Sequence, residues 1–258
     1  MDPNDLFSLH DKVAVVIGGG GVLAGEMASG FAQAGAAVAV LDLIGENAEA
    51  RAASIRALGH RAIALAVDAT SKRELERARD AVLESFHHVD ILLNAAGINS
   101  PTPFFEITEE EWQRILDVNL KSVFLACQVF GKVMVEAGRG GSIINISSVS
   151  AGPPLSRVFT YSVTKGGVNQ ITQFLAREWA PQRVRVNAIV PGFFPAEQNR
   201  RVLTPDRVAK ILSHTPMDRF GEPSELIGAA VYLASERAAS FVTGSTLRVD
   251  GGFLAVTI

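Results

Sequence analysis

Cysteine is almost absent from this sequence. Cys127 is the only one among 258 residues, so the chain forms no intramolecular disulfide and no cluster of thiolate metal ligands. It ends the apolar run Val-Phe-Leu-Ala-Cys at 123–127, which indicates packing inside a helix rather than a reactive thiol. We expect no metal site.

Long apolar runs and blocks of one charge are also missing. No uninterrupted apolar stretch approaches the ~18 residues that suggest a membrane-spanning helix, and residues 1–5 are acidic where a signal peptide is basic. The net charge is −3, without a block of Lys or Arg of the kind that binds nucleic acid. We therefore expect a cytoplasmic protein with neither a membrane nor a nucleic acid as partner.

Short apolar runs alternate with longer amphipathic segments along the chain. The runs predict strands at 13–17, 37–41, 62–67, 91–93, 142–146, 184–190 and 246–249. The other segments predict helices at about 23–34, 45–58, 71–86, 109–137, 160–180 and 223–235. This order predicts an α/β fold, a single domain over 1–258 with a doubly wound, mostly parallel sheet and helices on both faces. The irregular stretch at about 192–221 is interpreted as a partly helical flap over a site.

Four consecutive glycines follow the first predicted strand. Gly19-x-Gly21-x-x-Ala24 fits a relaxed dinucleotide fingerprint, in which backbone N–H groups and a helix N-terminus meet a pyrophosphate. The alternative is a flexible turn without a ligand. Asp42 ends the second strand and favours the cofactor, because its carboxylate can accept hydrogen bonds from both hydroxyls of an adenosine ribose. Since it would repel a 2′-phosphate, and positions 43–44 offer no Arg or Lys, NAD is favoured over NADP.

Small and polar residues follow other predicted strands. They are Asp68, Asn94-Ala95-Ala96-Gly97, Ser147 with Ser148, and Pro191 with Gly192. Parallel sheets bind ligands beyond the carboxyl ends of their strands, so four such ends indicate a site better than they indicate ordinary caps. Asp68 can reach an adenine, and the small residues at 94–97 let the backbone approach a cofactor.

Tyr161 and Lys165 are spaced i, i+4 in a predicted helix, so their side chains share one face. A cation beside a phenol lowers the pKa of the phenol, which an acid/base tyrosine requires. The same spacing also arises by chance in many helices. Asn119 falls on the predicted buried stripe of another helix, where an amide needs partners. It either caps a neighbouring strand or holds a water near Lys165.

Taken in order, these motifs resemble the short-chain dehydrogenase/reductase family. The resemblance runs from about residue 12 to 252 and rests on 18–25, 94–97, Asn119, Ser148, the Tyr-Ser-Val-Thr-Lys motif at 161–165 and Pro191-Gly192. It implies a Rossmann-type sheet of seven strands, a nicotinamide cofactor, an Asn–Ser–Tyr–Lys tetrad and a homotetramer with paired helices across a two-fold axis.

The resemblance also implies roles for the tetrad. Tyr161 would exchange the hydroxyl proton with the substrate, and Lys165 would lower the pKa of Tyr161 and bind the nicotinamide ribose. Ser148 would hold the carbonyl oxygen, with Ser147 as the alternative, and Asn119 would hold a water that connects Lys165 to solvent.

The cofactor contacts that the resemblance implies are Gly18, Gly20, Gly21, Val22, Leu23, Asp42, Asp68, Asn94, Ala95, Ala96, Gly97, Tyr161, Lys165, Pro191, Gly192 and Phe194. The chain departs from the family pattern at Ile17, Val22 and Ala24 in the glycine turn. It also has Ala196 where the family usually has a Thr after Pro-Gly.

Within the family, 18–25, 191–200 and 211–223 resemble the D-mannonate oxidoreductase (fructuronate reductase) branch, and 109–120 resembles gluconate 5-dehydrogenases. The resemblance implies hydride transfer between NAD(P) and a secondary alcohol or carbonyl of a sugar acid or polyol. Since an arginine fork suits a carboxylate and amides suit hydroxyls, the candidate substrate contacts are Asn99, Ser148, Arg157, Tyr161, Gln198 and Arg200. Two alternatives stay open: a same-fold reductase of another carbonyl, such as a 3-oxoacyl thioester or a hydroxysteroid, and a non-catalytic nicotinamide-binding module.

Overall fold

The computed structural model describes residues 5–153, 155–195 and 204–255. Within these ranges the strands are β1 (Val13–Ile17), β2 (Ala37–Asp42), β3 (Ala62–Ala66), β4 (Ile91–Asn94), β5 (Gly141–Ile146), β6 (Val184–Pro191) and β7 (Thr246–Val249). The helices are α1 (Val22–Gln33), α2 (Gly45–Ala57), α3 (Lys72–Phe86), α4 (Glu109–Ala137), α5 (Phe159–Trp179), α6 (Pro205–Ser213), α7 (Glu225–Ala234) and α8 (Glu236–Ala239). Every strand and helix predicted from the sequence is present, with its ends displaced by two residues at most.

The strands form one sheet in the order β3-β2-β1-β4-β5-β6-β7. Every pair is parallel, as expected for strands joined by helical crossovers. The chain runs outward from β1 to β3 and then returns to the other side of β1 as β4. This reversal opens a crevice between the loops that follow β1 and β4. The doubly wound fold is confirmed, and its sheet is wholly parallel.

Hydrophobic layers cover both faces of the sheet. Alternate residues of β1 point to opposite layers: Val15 packs with residues of α3, α4 and α5, whereas Val16 packs with residues of α1, α2 and α7. A strand buried on both faces must be apolar throughout, which is why β1 reads as an unbroken run of Val, Ala and Ile.

Helix α4 is the longest helix and contains two π-helical turns, at Asp117–Lys121 and Cys127–Gly131. By length and composition alone it is the one helix in the described ranges that could cross a membrane, but 56% of its apolar stretch is buried inside the fold. It is therefore a core helix. Cys127 lies within it, and burial raises the pKa of its thiol to about 12. The packing role predicted for this cysteine is confirmed.

Candidate active site

The turn after β1 lies against the segment after β4 at the switch point of the sheet. Gly18 has φ +76°, a left-handed conformation that favours glycine, and a Cβ there would lie 2.8 Å from the backbone nitrogen of Ala96. Gly21 is the N-cap of α1 and has no side chain with which to cap the helix, so the first N–H groups of α1 have no side-chain partner. This arrangement fits a pyrophosphate held by backbone N–H groups.

Asp42 lies beside the glycine turn, as the sequence predicts. One carboxylate oxygen accepts a hydrogen bond from the Gly20 N–H (3.0 Å), and the other accepts one from the Ile44 N–H (3.1 Å). The carboxylate is thus held in place by backbone groups at the carboxyl end of β2. Asp68 lies at the end of β3, where one of its oxygens accepts hydrogen bonds from the backbone N–H and the hydroxyl of Thr70.

The segment 94–97 divides into an inward and an outward part. Asn94 is buried and donates to Oδ1 of Asn145 (2.8 Å), and the amide of Asn145 donates to the hydroxyl of Thr172 (2.9 Å). The Asn94 side chain is therefore committed to the interior. Ala95, Ala96 and Gly97 have accessible surface through which the backbone can approach a cofactor, and the cofactor contact of Asn94 stays a prediction.

The loop after β6 is held close to the loop after β7. The Gly192 N–H donates to the carbonyl of Val249 (2.9 Å), and a Cβ at Gly192 would lie 2.8 Å from Cα of Asp250. Phe194 packs its ring against Gly221, so the two ends of the segment predicted as a flap contact each other. Helix α6 lies in this flap, whereas position 196 lies outside the described residues.

Lys165 is 4% exposed, and its ammonium donates to the carbonyl of Ile146 at the end of β5 (2.7 Å). Burial lowers the pKa of Lys165 to about 8, because the interior disfavours its charged form. The ammonium lies 5.4 Å from the ring centroid of Tyr161. The two side chains therefore share one region, as their i, i+4 spacing predicts.

Burial raises the pKa of the Tyr161 phenol in this structure, and a hydrogen bond with Ser148 opposes that rise. The sequence predicts the opposite direction, from the cation at Lys165. The direction differs because the loss of water around the phenol, which disfavours its ionised form, is the largest effect on its pKa.

The structure distinguishes the two candidate serines. The Ser147 hydroxyl donates to the backbone carbonyl of Lys165 (3.3 Å), which joins β5 to α5. The Ser148 hydroxyl instead contacts the Tyr161 phenol, and it accepts hydrogen bonds from the N–H (3.2 Å) and the hydroxyl (3.1 Å) of Ser150. Only Ser148 is thus directed at the phenol.

Asn119 is fully buried, as predicted, at the first π turn of α4. Its Oδ1 accepts from the Ile98 N–H (2.8 Å), and its Nδ2 donates to the Ile98 carbonyl (2.8 Å) and to the Thr164 hydroxyl (3.2 Å). The side chain therefore clamps the loop after β4, which corresponds to the capping alternative. The water-holding role proposed for Asn119 stays a prediction.

A cleft of about 840 Å³ is lined by chain neighbours of Ser148 and Tyr161, although Ser148, Tyr161 and Lys165 are not themselves among its lining residues. Its lining includes Ser150, which contacts Ser148, and Ser162, which follows Tyr161 in α5. Arg157 is exposed at the cleft with φ +67°. Of the other predicted substrate contacts, Asn99 is exposed and its Oδ1 accepts from the Ser100 N–H, while Gln198 and Arg200 lie outside the described residues.

The family model described as enoyl-(acyl carrier protein) reductase matches residues 21–254. The chain belongs to the short-chain dehydrogenase/reductase family. It is an NAD(P)-dependent oxidoreductase that acts on the CH–OH group of alcohols.

Two curated relatives of this short-chain dehydrogenase/reductase have named substrates. It is 39% identical to a 2-dehydro-3-deoxy-D-gluconate 5-dehydrogenase of Escherichia coli, covering 96% of this chain and 98% of the relative. It is 37% identical to a D-threitol dehydrogenase of Mycolicibacterium smegmatis, covering 96% and 94%.

Solved structures of the family have the same fold. The gluconate 5-dehydrogenase of Burkholderia cenocepacia, in complex with NADP and tartrate, is 33% identical with a TM-score of 0.93, covering 98% of this chain and 99% of that one. A Haemophilus influenza structure assigned as a D-mannonate oxidoreductase, with bound NAD, is 34% identical with a TM-score of 0.92, covering 97% of each chain. A 7α-hydroxysteroid dehydrogenase complexed with NADH and a bile acid is 34% identical with a TM-score of 0.92, covering 98% of each chain.

Two functional candidates of this dehydrogenase were missed in the sequence. Ser150 contacts Ser148, and Thr164 links Asn119 to the backbone carbonyl of Tyr161 (2.6 Å). Thr164 stands inside the Tyr–Lys motif, and Ser150 stands two residues after Ser148. Serine and threonine are common in turns and caps, so no sequence signal separates these two from the rest.

Proposed function

We propose that this enzyme transfers a hydride between NAD and a secondary alcohol or carbonyl of a sugar acid, with Tyr161 as the proton-exchanging group. The observation that carries the proposal is the meeting of the Tyr161 phenol, the Ser148 hydroxyl and the Lys165 ammonium, next to residues such as Ser150 and Ser162 that line one cleft. A binding module has no use for such a group.

The glycine turn and the N-terminus of α1 would hold the cofactor pyrophosphate, and Asp42 would hold the adenosine ribose. When bound, the nicotinamide cofactor supplies or accepts the hydride. Related structures contain NAD or NADP. NAD is favoured here, because a fixed carboxylate at the end of β2 repels a 2′-phosphate.

The chain's own groups would move and place the proton. Tyr161 would donate its phenolic proton to the carbonyl oxygen in reduction and accept the hydroxyl proton in oxidation. Ser148 would donate a hydrogen bond to the same oxygen as charge develops on it. Lys165 would favour the ionised phenol, and Asn119 would fix the loop that carries Gly97 and Ile98.

A sugar acid is favoured by Arg157 at the cleft and by the relatives that act on gluconate derivatives. A guanidinium binds a carboxylate with two parallel hydrogen bonds. The aromatic rings of Phe104 and Phe159, 4.9 Å apart at the same cleft, favour a second candidate, an apolar alcohol or carbonyl compound such as a hydroxysteroid or its oxo form. Turnover of hexonates, hexuronates, polyols, a 3-oxoacyl thioester and a hydroxysteroid with NAD and NADP decides between them.

The proposal is tested by Tyr161→Phe, with Tyr232→Phe as the control, since these are the two tyrosines of the chain. Loss of the phenolic proton should lower kcat by ~10²-fold or more while reduced cofactor still binds. Tyr232→Phe should keep the parent turnover. A Tyr161→Phe enzyme within threefold of the parent kcat contradicts the assignment.

We further propose a cytoplasmic homotetramer. Helices α4 and α5 pack against each other, and each exposes a phenylalanine: Phe124 is 48% exposed and Phe174 is 64% exposed. Apolar rings on adjacent long helices suit burial across a two-fold axis.

A further inference from the structure

The Ser148 hydroxyl has its acceptor positions filled by a single neighbour. We propose that Ser150 is a positioning residue, which occupies both acceptor sites of the Ser148 oxygen and so forces the Ser148 proton toward the reacting oxygen. This inference rests on the role proposed above for Ser148.

The local backbone holds Ser150 in place. Ser148 is the N-cap of a 3₁₀ turn, Val149–Ala151, and its carbonyl accepts from the Ala151 N–H (3.0 Å). In this turn the N–H of Ser150 points back at the Ser148 oxygen (3.2 Å), and the Ser150 hydroxyl donates to the same oxygen (3.1 Å). Ser150 is only 2% exposed, so water does not compete for these bonds.

A serine hydroxyl has one proton to donate and two lone pairs that accept. Since two donors from Ser150 use both lone pairs, the remaining interaction of Ser148 is donation of its own proton. The Tyr161 phenol is a further partner of Ser148, and their hydrogen bond lowers the phenol's pKa against the effect of burial.

Without the Ser150 hydroxyl, one lone pair of Ser148 is released and its proton can rotate away from the reacting oxygen. Ser150→Ala keeps the backbone donor and removes only the hydroxyl. A single neutral hydrogen bond corresponds to about a three- to tenfold effect. We expect kcat to fall by about that factor with little change in KM, and the pKa of Tyr161 in the pH profile of kcat/KM to rise.

The decisive experiment is a double-mutant cycle of Ser148→Ala, Ser150→Ala and the double variant, with kcat measured for each. If Ser150 acts through Ser148, its replacement changes kcat less than twofold once Ser148 is alanine. Equal losses in both backgrounds overturn the inference, as does a Ser150→Ala enzyme with unchanged kcat. If Ser148→Ala itself has no effect, the proposed function of Ser148 fails instead, so the two failures are distinguishable.

Ser142→Ala is the matched control. Ser142 is also 2% exposed, and its hydroxyl donates to the Leu233 carbonyl (2.8 Å) at the opposite end of β5. Its replacement also removes a buried serine hydrogen bond, so it should lower Tm without moving kcat or the pH profile. If Ser142→Ala shifts the pH profile as Ser150→Ala does, the shift reports general loosening and the inference is overturned.

Discussion

At the scale of single residues, Lys165 lowers the stability of the folded state while it serves the proposed chemistry. A buried ammonium with a pKa of about 8 is charged at neutral pH, and the folded state carries the cost of removing water from that charge. The carbonyl of Ile146 is the one hydrogen-bond acceptor found for it among the described residues. The cation is therefore explained by chemistry rather than by packing.

The cost of burying the Lys165 ammonium should be measurable as a pH-dependent change in Tm. Because the folded pKa of Lys165 lies near 8 and the unfolded pKa near 10.5, the folded state loses the proton first, and this residue's contribution to stability rises with pH between these values. Lys165→Met should therefore raise Tm by about 2–5 °C at pH 7, with a smaller gain near pH 10.5, and abolish most turnover. Differential scanning calorimetry at both pH values measures this. An equal gain at both, or a similar gain for the exposed Lys210→Met, contradicts it.

Asp42 is the residue to which we assign the proposed preference for NAD. Its contacts suggest a substitution that removes the charge and keeps the hydrogen bond. Asp42→Asn keeps an oxygen that can accept from the Gly20 N–H but removes the charge. We expect kcat/KM for NADP relative to NAD to rise by about tenfold or more, since the repelling charge is gone. Asp68→Asn is the control at a neighbouring strand end and should leave the ratio unchanged. A constant ratio in Asp42→Asn would show that this carboxylate does not face the 2′ position.

At the scale of elements, the predicted flap is tied to the loop before α5. Arg207 of α6 donates to the hydroxyl (2.6 Å) and the backbone carbonyl (3.3 Å) of Ser156, next to Arg157. Two segments that are distant in sequence thus meet at the cleft. This contact supports the covering role proposed for 192–221.

Arg157→Met tests whether the Arg157 guanidinium binds the carboxylate of a substrate. If it does, KM for a hexonate should rise by about 10- to 100-fold, while activity on a neutral polyol stays nearly constant, because only the charged substrate loses an ion pair. Arg237→Met, on the exposed helix α8, is the control and should change neither value. Equal losses on both substrates would remove the sugar-acid proposal and leave the alcohol oxidoreductase.

At the scale of the whole molecule, the sheet is covered on both faces, yet α4 exposes Phe124 and α5 exposes Phe174. Light scattering should report four times the 27.5 kDa chain mass at micromolar concentration. Phe174→Glu should shift the population to smaller species, since it places a charge in the buried interface. Leu58→Glu, equally exposed at 64% but at the C-cap of α2, should leave the mass unchanged. A monomeric parent protein would contradict the tetramer.

The elements and their order were determined by the sequence alone. Strands buried on both faces must be apolar throughout and helices must be amphipathic, so local patterns such as 13–17 and 109–137 suffice to place them. The rule that parallel strands present ligand-binding loops at their carboxyl ends also placed Asp42, Ser148 and Gly192 at one edge. The spacing of Tyr161 and Lys165 required only helical geometry.

Only the tertiary structure decided how the side chains at that edge are used. Ser147 and Ser148 are adjacent and of one type, and the direction that each faces depends on the register of β5 and on where α5 lies. The amides of Asn94 and Asn119 are committed to Asn145 and Ile98, partners that are 51 and 21 residues away. The pKa of Tyr161 depends on how much water several separate elements exclude. These are properties of packing between distant segments, and no local pattern in the sequence encodes them.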